Sequence, residues 1–224
     1  MKGQRFMATI TQRELNERIR QHEEWLKNEA KGNSPSFAGL DLSGLDLKGA
    51  NLYHSNFKGS CLRGCNFRYS DLGYSELEGA DLTEANLKNA NLFRANLKQA
   101  VLKDVEVNEY TMFYFQVCPE EGGFIGYKKA AAEKGRYALI KLYIPADARR
   151  NSATSYRCRA DRAKVLEITD EAGQPLEKAW SGRDKGFVYQ AGQWLKVPEF
   201  DEDRWNEKTK GIHFYLSKEA ARLY

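Results

Sequence analysis

The chain has 224 residues, 42% of them hydrophobic, and a formal net charge of +4. That length allows one or two domains, and the apolar fraction belongs to a globular protein, which excludes a disordered or collagen-like chain. No apolar run approaches a membrane span and the opening Met1-Lys2-Gly3-Gln4-Arg5 lacks an apolar signal core, so a cytoplasmic protein with no membrane partner is expected.

Residues 1–34 are predicted to form a capping helix. Thr11 and Glu14 have the spacing of a capping box, Leu15, Ile19, His22, Trp25 and Leu26 share one stripe, and Gly32-Asn33 supplies a stop. The helix is expected to lie over the first coil of the segment that follows. A partner-binding or dimerising helix is the alternative.

Residues 35–109 carry a repeat. From Leu42 to Leu102 a large apolar residue, Leu or Phe, falls at every fifth position without a gap, and two residues before most of them sits a small one, such as Ala50, Ser60, Cys65 or Ala80. The residue between is usually Asn or Asp. A period of five fits neither a helix nor a flat strand, so it marks a repeat architecture whose units bury their apolar residues only when stacked. Ala50-Asn51-Leu52, Ala80-Asp81-Leu82, Ala85-Asn86-Leu87, Ala90-Asn91-Leu92 and Ala95-Asn96-Leu97 resemble the motif of the pentapeptide-repeat family. The resemblance implies a mainly β fold: a short right-handed quadrilateral β-helix in which the small and large residues point inward and residue i+20 stacks on residue i. The units from Phe37 to Leu102 would make about three and a half coils, a solenoid ~17 Å tall at the usual strand spacing. Leu40 and Leu45 depart from the motif at one end and Val101, Val105 and Val107 at the other, where the repeat is expected to fade.

The implied stacking sorts the outward residues into columns. Lys48, Arg68 and Lys88 form a ladder of like charges that is costly unless an anion or water separates them. Tyr53, His54, Tyr69, Tyr74, Phe93 and Arg94 gather beside it. Exposed aromatics next to a basic ladder mark a contact face. Its expected occupant is the chain's own C-terminal domain, a host protein, a second copy of the chain, or nucleic acid.

Residues 110–224 are read as a small α+β or mainly β domain. Tyr110–Val117 is predicted as a strand, and further β-rich runs fall at 136–144, 163–169, 186–189, 193–197 and 211–216 before Ser217 caps a closing helix. Phe124-Ile125-Gly126-Tyr127-Lys128-Lys129, Ile144-Pro145-Ala146-Asp147-Ala148-Arg149-Arg150, Arg157-Cys158-Arg159-Ala160 and Gly211-Ile212-His213-Phe214 resemble an uncharacterised domain that follows pentapeptide repeats in phage-encoded proteins. That resemblance implies a viral context and no chemistry.

The charge is uneven. Residues 35–104 carry eight acids and eight bases, whereas residues 128–164 carry eleven bases and three acids, a net +8. Arg149, Arg150, Arg157 and Arg159 flank a loop of hydroxyl residues, a composition that suits a nucleotide or nucleic-acid phosphate, including a sponge for signalling nucleotides. The plain alternative is a basic face paired with Asp201, Glu202 and Asp203. No phosphate loop, nucleophile elbow, zinc-helix or paired C-x-x-C motif is present, which argues against an enzyme; an enzyme of unknown class in the C-terminal domain would rest on His213. No cofactor and no metal are expected. Cys61 points out of the repeat and Cys65 into it, and Cys118, Cys158 and His213 are more ordinary as core than as ligands. The neutral repeat also disfavours DNA mimicry, a role ascribed to some pentapeptide-repeat proteins. The reading that follows is a non-catalytic, phage-encoded interaction module that inhibits a host protein, either a nucleic-acid enzyme or an antiviral defence component.

Overall fold

The protein is described by a computed structural model covering residues 7–28, 35–182 and 186–223. It is mainly β and divides into two compact units, Met1–Phe115 and Gln116–Tyr224. Among the described residues no helix is long and apolar enough to cross a membrane.

The first unit opens with a two-residue strand, β1 (Ala8–Thr9), that pairs in parallel with β2 (Leu40–Asp41). Between them runs α1 (Gln12–Lys27). The Thr11 hydroxyl accepts from the Glu14 amide while the Glu14 carboxylate accepts from the Thr11 amide, so both halves of the capping box are made. Leu15 and His22 are buried on the inner stripe, and the Gln12 side chain exchanges hydrogen bonds with the main chain of Asp46, tying α1 to an early repeat unit. The helix ends as the Asn28 amide donates to Glu24 and Trp25; the expected stop at Gly32-Asn33 lies outside the described residues.

The repeat shows why each motif position holds the residue it does. Among the described residues, parallel bridges join residues twenty apart from Asp41–Cys61 to Asn86–Glu106, in keeping with a β-helix of four five-residue sides per coil. Leu42, Leu52, Leu62, Leu72, Leu82 and Leu92 are all buried, as are the small residues Ala80, Ala85 and Ala90. At serine positions the inward hydroxyl is satisfied locally: Ser55, Ser60 and Ser70 donate to the carbonyls of Leu52, Phe57 and Phe67. The Asn or Asp between acts in two directions. Its side-chain oxygen accepts from the amide two residues on, as Asn66 does from Arg68 and Asn91 from Phe93, which closes the corner. The amide group of Asn66, Asn86, Asn91 or Asn96 then donates to Asp46, Glu106, Asp71 or Glu76 twenty residues away, stitching one coil to the next.

The end of the repeat differs from expectation. Tyr110–Val117 is no strand: Leu92 donates to Met112 and Met112 to Ala90, so the ladder continues past Val107 and closes on an Asn91–Met112 bridge. That bridge spans twenty-one residues, so one residue has been inserted after Glu106 and the five-residue period, which alone signals this fold, is lost to the eye. Buried Thr111 takes the small inward position there and donates to the Leu87 carbonyl.

The second unit is mainly β, with one short helix at its end. Six strands, β3 (Phe124–Ala131), β4 (Tyr137–Ile144), β7 (Arg162–Asp170), β8 (Lys178–Trp180), β9 (Val188–Gln190) and β10 (Trp194–Lys196), form an antiparallel sheet in the order β10-β7-β4-β3-β8-β9. A second sheet sets β6 (Cys158–Ala160) between β5 (Arg150–Ser152) and β11 (Ile212–Phe214). Alternation on β4 buries Ala138, Ile140, Leu142 and Ile144, which join Val165, Ile168, Leu195, Ile212 and Phe214 in one core. Phe214 lies so close over Gly126 that a Cβ there would sit 2.5 Å from its ring. The closing helix α2 (Lys218–Leu223) is a short one, with the Ser217 hydroxyl accepting from the Ala220 amide.

Candidate functional site

The aromatic residues of the repeat do share one column. Tyr53 and His54 meet edge to face at 4.5 Å between ring centroids, Tyr53 and Tyr74 at 5.3 Å, Tyr74 and Phe93 at 5.6 Å, and Phe93 and Phe113 at 4.8 Å. Arg94 donates from Nη1 to the Tyr74 hydroxyl and packs its guanidinium against both Tyr74 and Phe93. Gly73 makes the stacking possible, because a Cβ there would come within 2.9 Å of the Tyr53 ring. Phe113, twenty residues after Phe93, lies beyond the point where the apolar period fades in the sequence.

Backbone geometry sets this column apart. The second residue after each inward Leu or Phe adopts a left-handed conformation, which costs a non-glycine residue roughly 1–2 kcal/mol. Gly39, Gly59 and Gly79 lead one such column to Gln99, Gly44 and Gly64 lead another to Glu84 and Asp104, and Gly49 starts a third that continues through Tyr69 and Asn89. The fourth holds His54, Tyr74 and Arg94 at φ 60°, 56° and 57°, with no glycine among the described residues. Tyr69, at φ 61° and 55% exposed, stands beside it.

The like-charge ladder is relieved by the chain itself. Lys88 pairs with Glu106 at 2.9 Å, and Arg68 lies against the ring of Tyr69, its Nε buried without a hydrogen-bond partner among the described residues. Lys48 is exposed. Outward Cys61 meets the Ser43 hydroxyl, while the inward Cys65 thiol is pushed up to about 12 by burial.

The four arginines of the second unit go different ways. Arg149 pairs with Asp161 and Glu202. Arg150 donates to the carbonyls of Glu120, Gly122 and Pro145. Arg159 is 1% exposed; its two terminal nitrogens donate to the carbonyls of Lys210 and Asp203, and it packs on Phe200. These three hold loops of their own chain, so they do not converge on a phosphate. Arg157 lines a cavity together with His213 and Lys128 and donates from Nε to the Tyr215 hydroxyl.

His213 sits between buried Ile212 and Phe214 with its ring on the opposite face, as strand alternation requires. Its Nε2–H donates to the Glu207 carbonyl at 3.2 Å. Because a carbonyl only accepts, the other ring nitrogen of the neutral imidazole is an acceptor. The same alternation separates it from Cys158, which pairs across the ladder from Phe214 and lies beside buried Cys118, so the three do not meet. The Cys118–Cys158 hydrogen bond holds the Cys118 thiol below and the Cys158 thiol above the ordinary range.

Burial, and after it the Lys128 charge, holds His213 down at about 4. An unfolded-chain histidine titrates near ~6.5, so as pH falls between these values the unfolded state takes the proton first and the fold loses stability. We expect this group to cost roughly 2–3 kcal/mol between about pH 7 and about pH 4.5, measured as a drop in urea stability. His213→Gln should remove that part of the slope. An unchanged pH dependence in the variant would refute the assignment.

Comparison with known proteins follows the same division. Residues 36–68 and 60–99 match the model of pentapeptide repeats (8 copies), and residues 114–221 match that of a family of unknown function (DUF5758). No curated protein matches the chain. Among solved structures, the pentapeptide repeat protein Rfr23 from the cyanobacterium Cyanothece 51142 is 32% identical, over 32% of this chain and 52% of that one, with a TM-score of 0.28. The pentapeptide repeat protein alr5209 from Nostoc PCC 7120 is 28% identical over 48% of this chain and 87% of its own, at a TM-score of 0.35. HetL from Nostoc sp. strain PCC 7120, a pentapeptide repeat protein involved in heterocyst differentiation regulation, is 27% identical over 32% of this chain and 40% of its own, at 0.18. The chain spans about half the length of the Rfr23 structure. It therefore carries pentapeptide repeats over residues 36–99, followed over residues 114–221 by a segment similar to a family of unknown function.

Proposed function

We propose that this protein is a non-catalytic protein-interaction module whose first unit presents the Tyr53, His54, Tyr74, Phe93 and Arg94 column to another protein, with Tyr69, Lys48, Arg68 and Lys88 at its margin. The carrying observation is the left-handed column that holds aromatic and basic residues throughout, where each neighbouring column begins with glycine. Strain of that kind persists where the side chains serve a purpose the backbone does not, and aromatic and arginine side chains dominate protein contacts. In this reading the repeat is a right-handed, four-sided β-helix, stiffened by its side-chain ladders and capped by α1. The protein is phage-encoded, works in the host cytoplasm, and inhibits a host nucleic-acid enzyme or antiviral defence component by occupying its surface. A second copy of the chain would use the same aromatic face.

The test is retention from nuclease-treated bacterial lysate on the immobilised protein and on a His54→Ser/Tyr69→Ser/Arg94→Ser variant of equal thermal stability. A discrete protein held by the native chain and weakened about tenfold or more by the variant is expected, since a few central anchors carry most of a contact. No retained protein, retention indifferent to the variant, or material lost on nuclease treatment would each overturn the reading.

A further inference from the structure

Two of the four cysteines meet inside the second unit. Cys118, in the segment that opens the unit, is 2% exposed, and Cys158, at the start of β6 in the middle of the smaller sheet, is fully buried. One serine brings them together. Ser152 of β5 stands directly opposite Cys158 in the antiparallel ladder, so their side chains share a face with Cβ atoms ~4.5–5.5 Å apart. The Ser152 hydroxyl, itself buried, accepts from the amides of Val117 and Cys118 at 2.8 and 3.2 Å, which lays the Cys118 backbone beside that same face. The two thiols then hydrogen-bond to each other.

The pair is chemically unequal. Cys158 donates its S–H to the Cys118 sulfur, and this bond, opposed by burial and aided by the Arg150 charge, holds the Cys118 thiol below its ordinary range. The same bond and burial keep the proton on Cys158. Arg150 is fixed at this place, because it donates to the carbonyls of Glu120 and Gly122 just after Cys118. A sulfur inclined to ionise, with a cation near it and a second thiol against it, has the arrangement of an attacking and a resolving cysteine. Residues 120–123, directly after Cys118, are exposed, so a small oxidant reaches the pair through a local opening of that turn.

We propose that Cys118 and Cys158 are a reversible oxidation site, forming a disulfide when a peroxide is present and so fastening the start of the second unit to β6. The Cys118 thiolate attacks one oxygen of hydrogen peroxide and breaks the O–O bond, giving the Cys118 sulfenic acid and a hydroxide that takes up the proton released by the thiol. The Cys158 sulfur then attacks the Cys118 sulfur. An S–S bond forms, the S–O bond breaks, and the hydroxyl leaves with the Cys158 proton as water. The two thiols together lose two electrons and two protons, and one peroxide becomes two waters. The site shares no residue with the interaction face on the repeat, so either reading stands if the other fails.

Intact-mass measurement of the full chain before and after ~1 mM hydrogen peroxide, with peptide mapping under non-reducing conditions, tests it. We expect a loss of about 2 Da per chain, fragments bearing Cys118 and Cys158 joined to each other, and the original mass restored by dithiothreitol. Cys118→Ser and Cys158→Ser should each abolish the loss, while Cys61→Ser keeps it. Thermal melting identifies a variant that has lost its fold, and the map of the native chain decides the matter without either one. An unchanged mass after about a day, oxygen added to either sulfur with no bridge, a bridge through Cys61 or Cys65 in place of this pair, or a loss that persists in a folded Cys118→Ser or Cys158→Ser chain would each overturn the proposal.

Discussion

Leu72→Ala is expected to destabilise the repeat unit by roughly 2–5 kcal/mol, among the largest effects of any single truncation in the solenoid. Leu72 is fully buried, in register with Leu52 and Leu92 twenty residues to either side. Its amide donates to the Asn91 carbonyl, and the Leu52 amide to the Asp71 carbonyl, so the coils above and below are pinned by main-chain bonds. A core of free-standing helices can settle into a cavity. Stacked coils at a fixed strand spacing of ~4.8 Å cannot, so the hole left by the missing methyl groups stays open and its full cost is felt. Urea unfolding followed by far-ultraviolet circular dichroism would measure the loss, with Glu84→Ala as an exposed surface control expected to stay within about 0.5 kcal/mol of the native chain. A loss below about 1 kcal/mol for Leu72→Ala would mean that the inward column is not what holds the coils together.

Arg159→Ala should cost the second unit roughly 3–5 kcal/mol, far more than Arg149→Ala, for which about 0–1 kcal/mol is expected. The two differ in surroundings rather than in type. The Arg149 side chain is 46% exposed, and its ion pairs with Asp161 and Glu202 are weakened by water. Arg159 is buried, with burial lowering its pKa and the nearby charges of Asp201, Asp203 and Glu207 opposing that shift. Truncation would leave the carbonyls of Lys210 and Asp203 without their donor, open a void beside Phe200, and release the 199–211 loop from β6. Arg159→Lys should recover little, because one ammonium cannot reproduce the planar fork that reaches two carbonyls at once. Thermal melting of the three variants decides the matter; near-equal melting points for Arg149→Ala and Arg159→Ala would refute it.

These residues also mark how far the sequence could be read. Leu72 belongs to a period, and a period states the inward direction of every member without reference to the rest of the fold. The capping box of Thr11 and Glu14 and the Ser217 cap were legible for the same reason, since each is a bond between near neighbours in the chain. The eight-residue β4 and nine-residue β7 were visible as long β-branched and apolar runs. By contrast, β5, β6 and β8 are three residues each, too short to establish a pattern of two, and in the eight-residue β3 Gly126, Lys128 and Lys129 interrupt the apolar pattern.

Arg157 and Arg159 are two residues apart and look equivalent in the sequence. One reaches a cleft and the other is buried under the 199–211 loop, because strand β6 is hydrogen-bonded on both sides by segments far away in the chain. Lys128 likewise reads as part of a diffuse basic run until the fold sets it in one cavity lining with Arg157 and His213. The sequence by itself determined the repeat, its inward and outward residues and the N-terminal caps of both helices, since all of these follow from bonds and contacts among neighbours at a regular spacing. Only the tertiary structure decided where the repeat ends, which arginines are consumed as internal struts and which cations face a cavity, because each of those depends on pairing between segments tens of residues apart.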